Sequence, residues 1–171
     1  MTERDCVMKE LYEFFEEILL DSGINDVSLI YHGESGTRPK SPFLALEFRS
    51  LVSLGMPEKG MVRIGKDGSE TQRITQHMRQ HMTMHGHGER AVAALETVKA
   101  QLNVDLWIDR LRLRGLVIPQ AMESVESSTA FETEWEKGAS FDFDLTYPRV
   151  TVTSPGYIEN VELSPNFVRD E

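Results

Sequence analysis

The feature that most constrains the fold is a run of strict alternation between residues 139 and 147. Apolar residues occupy every second position and polar residues lie between them, a period of two that is typical of a half-buried β-strand. The apolar positions are Ala139, Phe141, Phe143, Leu145 and Tyr147. Because each buried aromatic ring covers about 150–250 Å2, such a strand can anchor a sheet to helices packed over it.

Three other stretches have helical periodicity. Residues 3–22 form an amphipathic pattern that Gly23 ends, and we expect this helix to lie on the sheet. Residues 89–102 predict a second helix. Residues 104–115 predict a shorter helix or an irregular segment.

Further strands are predicted on either side of these helices. Residues 27–31 and 43–55 are apolar or alternating, and residues 157–163 predict a last strand. Residues 116–134 begin apolar and become acidic, which favours an irregular path over the surface. Pro148 lies inside the long alternating region and favours a bulge or a sheet edge there.

Residues 73–84 are compatible with two structures. As a strand they would place Ile74, Met78 and Met82 on one face and arginine and histidine on the other; as a helix, their histidines would recur every four residues. The strand is favoured because the alternation lasts through the whole segment and Gly86 and Gly88 are expected to end it.

Together these elements predict an α+β fold with a largely antiparallel sheet, on which an N-terminal helix and one or two central helices pack. A chain of 171 residues fits a single domain, residues 1–171, with a sizeable core. Residues 56–72, rich in glycine and containing an Asp-Gly pair, predict a long projecting hairpin or loop. This projection and the tail, residues 164–171, are candidates for contact with another molecule.

The formal net charge of −10 argues against a free-standing nucleic-acid binder, which needs a basic surface to displace counterions from phosphates. No apolar run approaches the roughly 18 residues that cross a bilayer. The N-terminus carries acidic residues where a signal peptide would be apolar, so we expect a protein made and used without secretion. The single cysteine, Cys6, cannot form an internal disulfide and is expected to be a small residue on a helix face and not a nucleophile.

A histidine-rich segment is the main candidate for chemistry. A helix would let His77 and His81 share a zinc ion, but the HExxH motif is absent. In a strand, histidines four residues apart are about 13 Å apart, too far to share one ion. His85 and His87 remain a possible pair without a third ligand nearby. We therefore expect no metal, no cofactor and no catalytic residue, since GxSxG, CxxC and GxGxxG are also missing.

The order of these pieces resembles the tail terminator, or neck terminator, proteins of tailed bacteriophages over most of the chain. The resemblance is carried by the PFLALEF strand, the Gln/Arg-rich strand ending in HGHG, the ERAVAALETVKAQL helix, the Leu-Arg-Gly-Leu step and the WEKGASFDFDLTY strand. Family members commonly carry two acids and an arginine after the tryptophan. Here Trp135 is followed by Glu136, Lys137 and Gly138, a departure from that pattern.

The resemblance implies a structural protein, not an enzyme. It implies a ring of six copies that caps the head-proximal end of the tail tube, stops tube elongation and offers a docking face to the neck. The implied partners are other copies of the chain, the tail tube protein and the neck or head–tail connector protein, with the sheath protein as a further candidate. The implied location is the tail or neck of the virion, after assembly in the host cytoplasm, with no membrane contact.

DNA would pass through the ring without specific binding, since an acidic lumen repels it. Other ring proteins of the neck or head-completion class remain an alternative. A small metalloenzyme that uses the histidines is the alternative from another class. The residues expected at subunit or ring interfaces are Met61, Arg63, Lys66, Asp67, Arg79, His81, Trp135, Lys137, Phe167 and Arg169.

Overall fold

The structure, a computed structural model, describes residues 3–31, 39–40, 42–65, 68–119, 124–131 and 134–154. The last strand predicted at 157–163 and the tail lie outside this range. The described part contains three helices and five strands, in the order α1 (Glu3–Asp21), β1 (Ser28–Tyr31), β2 (Phe43–Ile64), β3 (Glu70–His87), α2 (Glu89–Gln101), α3 (Asp105–Leu113), β4 (Val125–Phe131) and β5 (Glu134–Thr153).

The five strands form one sheet in the order β1-β2-β3-β5-β4. The β1–β2 pair is parallel and the other three pairs are antiparallel. The predicted α+β fold with a largely antiparallel sheet and packed helices is therefore confirmed. None of the helices in the described residues is both long and apolar enough to span a bilayer.

The core lies between the helices and one face of the sheet. The alternating run predicted from the sequence forms the middle of β5, and its apolar side chains are all buried. The rings of Phe15 on α1 and Phe143 on β5 meet edge to face at 5.8 Å. The neighbouring β3 contributes Met78, Met82 and Met84 to the same cluster, so the two central strands and α1 share one apolar layer.

Helix α1 is fixed at its end and along its side. Gly23 adopts φ 73°, and the next amide, that of Ile24, donates to the Leu19 carbonyl at 2.8 Å. A glycine in this left-handed conformation satisfies the last carbonyls of a helix, which confirms the predicted stop. Two tyrosines then join α1 to β1: the Tyr12 hydroxyl donates to the Leu29 carbonyl, and the Tyr31 hydroxyl to the Met8 carbonyl.

The histidine-rich segment is a strand, as predicted, but Gly86 does not end it. Residue 86 is still paired, with Ala139 of β5. Helix α2 crosses the sheet at this point, and a Cβ on Gly86 would lie 3.0 Å from the carbonyl oxygen of Ala91. Glycine is therefore needed because the α2 backbone lies directly on the strand. Gly88, with φ 93°, makes the turn into α2.

The prediction of an irregular surface path for residues 116–134 was wrong. Residues 125–131 form β4, which pairs with the first part of β5. Val117 exchanges both backbone hydrogen bonds with Thr146 at 2.9 and 2.8 Å, while Leu116 and Ile118 are buried. The acidic composition gave no indication of β4, whose position is set by its pairing with β5.

Pro148 lies opposite His77 of β3 in an uninterrupted register, so the bulge predicted as one possibility is not formed. The backbone groups of Thr146 face Val117, on the side away from β3. Residues two apart in a strand direct their backbone groups to the same side, so the Pro148 nitrogen also faces away from β3. Strand β4 reaches only as far as Ser140. The missing N–H therefore removes no bond between β3 and β5. Within the described residues no strand pairs with Pro148 on its outer side, as expected for a proline at a sheet edge.

Candidate assembly interface

Strands β2, β3 and β5 extend together beyond the helices as a ribbon, which we call the arm. It starts at the rung formed by Leu54, His77 and Pro148 and comprises residues 54–64, 70–77 and 148–153. Eight residues at ~3.3 Å per residue make β3 roughly 25 Å long here. At the tip, the Gly68 amide donates to the Gly65 carbonyl at 3.0 Å. The predicted projection is a hairpin, with strand pairing that continues to Ile64.

The outer strand of the arm, β2, contains two insertions relative to β3. Residues 55–57 lie opposite Gln76 alone, and residues 60–61 lie opposite Arg73 alone. A methionine occupies each insertion, and Met56 and Met61 are 92% and 91% exposed. Extra residues in one strand of a pair bend it and redirect side chains. Two large apolar side chains are thus held out in solvent, where they add nothing to the core of their own subunit.

Glutamines of β3 support these irregular places. The Gln76 amide donates to the carbonyls of Leu54 and Gly55 at 3.0 and 3.3 Å, beside the first insertion. The Gln72 amide donates to the Gly60 carbonyl at 3.0 Å, at the second. A third irregularity lies at residue 49, and there Gln80 donates to the Ser50 carbonyl at 2.8 Å. These side-chain amides bind backbone carbonyls next to the places where the hydrogen-bond pattern between β2 and β3 is interrupted. They therefore help to fix the shape of the arm.

The sheet face opposite the helices carries a connected polar network across β2, β3 and β5. Glu47 lies 2.8 Å from the His85 ring and 3.1 Å from Arg49. Thr83, only 3% exposed, accepts from Arg49 at 3.2 Å and donates to Asp142 at 2.5 Å. The network fixes the relative positions of three strands and keeps this face hydrophilic.

A second polar group lies closer to the arm. Asp144 is 3.0 Å from the His81 ring and 3.7 Å from Arg79, two of the residues predicted at an interface. His81 and His85 thus each contact a different carboxylate. Within the described residues, no three histidine, cysteine or carboxylate side chains are grouped closely enough to bind a metal ion.

The other predicted interface residues lie in separate places. Met61 and Arg63 are on the arm and exposed. Lys137 is at the opposite end of β5, where its amine lies 3.4 Å from Glu89 on α2. The backbone of Trp135 pairs with Ala130 of β4. The structure therefore does not bring these residues into one patch, and the remaining four lie outside the described part, namely Lys66, Asp67, Phe167 and Arg169.

The glutamine contacts were missed by the sequence analysis, although a signal was present. Gln72, Gln76 and Gln80 recur every four residues on one face of β3, among apolar side chains that enter the core. Amides repeated on the buried side of a strand need hydrogen-bond partners. The network around Thr83 was missed because its partners come from three strands that are distant in sequence.

Large apolar side chains held in solvent on a strand-paired projection are typical of a surface that contacts another protein. Comparison with known proteins supports a role in assembly. No curated protein matches the chain. The family model described as phage neck terminator protein matches residues 7–171, nearly the whole chain. The chain therefore belongs to the phage neck terminator protein family.

Proposed function

We propose that the protein forms a ring, of six copies, that caps the head-proximal end of the tail tube, stops its elongation and provides the face on which the neck connector docks. Membership of the family supports a structural protein of the phage neck or tail, located in the virion and in contact with other neck or tail proteins. The observation that supports the proposed capping ring is the arm.

The arm is costly for a subunit that acts alone. It orders about 25 residues whose side chains bury little, and its large apolar residues, Met56, Met61 and Ile64, are mostly exposed. Large apolar side chains held in solvent on an ordered projection are typical of a contact site. An arm that reaches beyond its own subunit suits a component that must bind a neighbouring copy or an adjoining ring.

Two further observations support the proposal. Subunits of net charge −10 would surround DNA with a surface of its own sign, so the strand could pass without adhering. Cyclic closure would also limit assembly to a defined size, as termination of a tube requires. We place Met61 and Arg63 at contacts made by the arm, Arg79 and His81 on the open sheet face towards a neighbour, and Trp135 and Lys137 at the opposite end of the subunit.

The test is direct imaging of assemblies. We expect negative-stain microscopy and sedimentation velocity of the purified protein to show closed rings, and rings to sit on one end of tail tubes when tubes are added. Growth of tubes from purified tube protein should then stop at the capped end. A protein that stays monomeric at high concentration and has no affinity for tube ends would overturn the proposal. So would stoichiometric zinc that is lost in His85→Ala, since it would favour metal-dependent chemistry.

A further inference from the structure

The arm differs in charge from the rest of the subunit. Residues 54–64, 70–77 and 148–153 carry four basic side chains and two acidic ones, a formal charge of +2. The whole chain carries −10, which leaves −12 for the rest of the chain. The basic residues are Lys59, Arg63, Arg73 and Arg149, and the acidic ones are Glu58 and Glu70. One subunit therefore presents a basic, apolar projection and an acidic body.

Two of the cations lie on one face near the tip. Arg63 pairs with Thr71 across the hairpin and Arg73 pairs with Val152 of β5. Residues opposite each other in a sheet, and residues two apart in a strand, point to the same face. Arg63, Arg73 and Val152, which is 65% exposed, thus share a face. In the part of the chain described, neither arginine forms an ion pair, so this face carries two cations beside an apolar side chain.

The body offers the complementary surface on α1. Leu20 is 63% exposed on a helix whose other leucines are buried. Glu16 lies one turn before it and Asp21 directly after it, and both are exposed. Neither carboxylate has a cationic partner among the described residues. This part of α1 therefore carries two anions beside an apolar side chain, the reverse of the arm tip.

Two other possible binding partners of the arm, a cavity on the body and DNA, fit it less well. An apolar cavity of about 120 Å3 is lined in part by Phe14, Trp107 and Leu111, but Arg112 also lines it and would repel the basic arm. DNA phosphates would pair with Arg63 and Arg73 but would leave the exposed apolar residues of the arm in contact with a charged backbone. An acidic protein surface with an exposed leucine suits both properties of the arm.

We propose that the arm of one subunit docks on the neighbouring subunit, with Arg63, Arg73 and Val152 against Glu16, Leu20 and Asp21 of α1. The inference rests on the proposed ring and specifies its contact. Because the two surfaces are different, each subunit gives its arm to one neighbour and receives an arm from the other. Such a heterologous contact generates a ring when the rotation between neighbours closes.

A charge-exchange experiment on the full chain tests this contact. Arg63→Glu/Arg73→Glu makes both surfaces acidic, and Glu16→Lys/Asp21→Lys makes both basic. We expect each variant to self-associate more weakly than the wild type, by about one to two orders of magnitude in Kd measured by sedimentation velocity. An equimolar mixture should assemble again, because every arm can then meet a surface of opposite charge. The wild type should dissociate as salt rises.

The matched control is Arg90→Glu/Arg112→Glu, which changes net charge as much as the arm variant does. Both arginines are exposed cations of the body, so this control should associate like the wild type. Circular dichroism and melting curves should show that all variants are folded. Restored assembly in the mixture supports the inference, since a folding defect could not be rescued in this way.

The contrary outcomes are distinct. Rings formed by the wild type and equally well by the arm variant would overturn the docking contact and leave the ring itself standing. A mixture that stays dissociated, or a control that dissociates as much as the arm variant, would also overturn it. Labelled duplex DNA that binds the wild type but not the arm variant, with assembly unchanged, would assign the arm to DNA. A wild-type protein that never assembles, even with tail tubes, would instead overturn the proposed ring itself.

Discussion

The side-chain amide of Gln80 donates a hydrogen bond of 2.8 Å to the backbone carbonyl of Ser50, next to the place where β2 has one residue more than β3. Gln80 is only 5% exposed whereas Ser50 is exposed, so the hydrogen bond between them is partly buried. The body thus continues into the arm through a partly buried polar contact.

Gln80→Ala should lower the free energy of unfolding by about 1–3 kcal/mol, because a group at the base of the arm loses its hydrogen bond. Urea denaturation measures the change. The matched control is Gln72→Ala, which removes a similar but exposed bond to Gly60 and should cost no more than about 0.5 kcal/mol. Equal losses in the two variants would show that burial does not decide the strength of these contacts.

Gly86→Ala should destabilise the protein by about 1–3 kcal/mol, because its new Cβ would meet the Ala91 carbonyl oxygen at 3.0 Å and force α2 away from the sheet. The melting temperature reports stability, and tryptophan fluorescence in a Trp135→Phe background reports any shift of the helices, because Trp107 lies on the neighbouring α3. An unchanged melting temperature would mean that α2 can move without cost.

Arg114 joins the end of α3 to α1. Its guanidinium donates to the Glu10 carbonyl at 3.0 Å and to the Glu17 carboxylate at 2.6 Å, and its side chain is 19% exposed. Arg114→Ala should cost about 1.5–3 kcal/mol of unfolding free energy in chemical denaturation, as expected for partly buried hydrogen bonds to a charged group. Arg112→Ala, on the same helix, removes an exposed pair with Asp109 and should cost less than about 1 kcal/mol. The reverse ranking would contradict the packing role of Arg114.

Met56→Ser/Met61→Ser should leave the unfolding free energy within about 0.5 kcal/mol of the wild type, since both side chains are already in solvent. Assembly, measured by sedimentation velocity and by capping of tail tubes, should be weakened. Leu113→Ser replaces an equally exposed apolar residue on α3 and serves as the control, with assembly unchanged. If the double variant still assembles and caps tubes as the wild type does, the two methionines are not contact residues.

The sequence predicted the elements whose signal is local. The alternation around Phe141 and Phe143 defined β5, and Gly23 marked the end of α1 correctly. The sequence analysis missed β4, because VESSTAF has little apolar alternation and its strand conformation follows from pairing with β5. A pattern read along one strand cannot show which neighbour supplies the hydrogen bonds.

The candidate interface was predicted only in outline. The glycines and the Asp-Gly pair indicated a projecting hairpin, but the insertions at 55–57 and 60–61 exist only relative to β3. Their positions depend on register, which composition does not contain. For the same reason, the sequence did not show that Asp142 and Asp144 bind Thr83 and His81 across the sheet.

The proline at the base of the arm has a consequence for the protein at high concentration. An edge strand with all of its backbone N–H donors available can pair with strands of other molecules and so lead to fibres. Pro148 offers no donor towards the outer side of β5, so a strand that approaches there meets an interruption at the point where the arm begins. The proline therefore disfavours edge-to-edge strand pairing between molecules at high concentration. The two faces of the arm stay available for specific contacts.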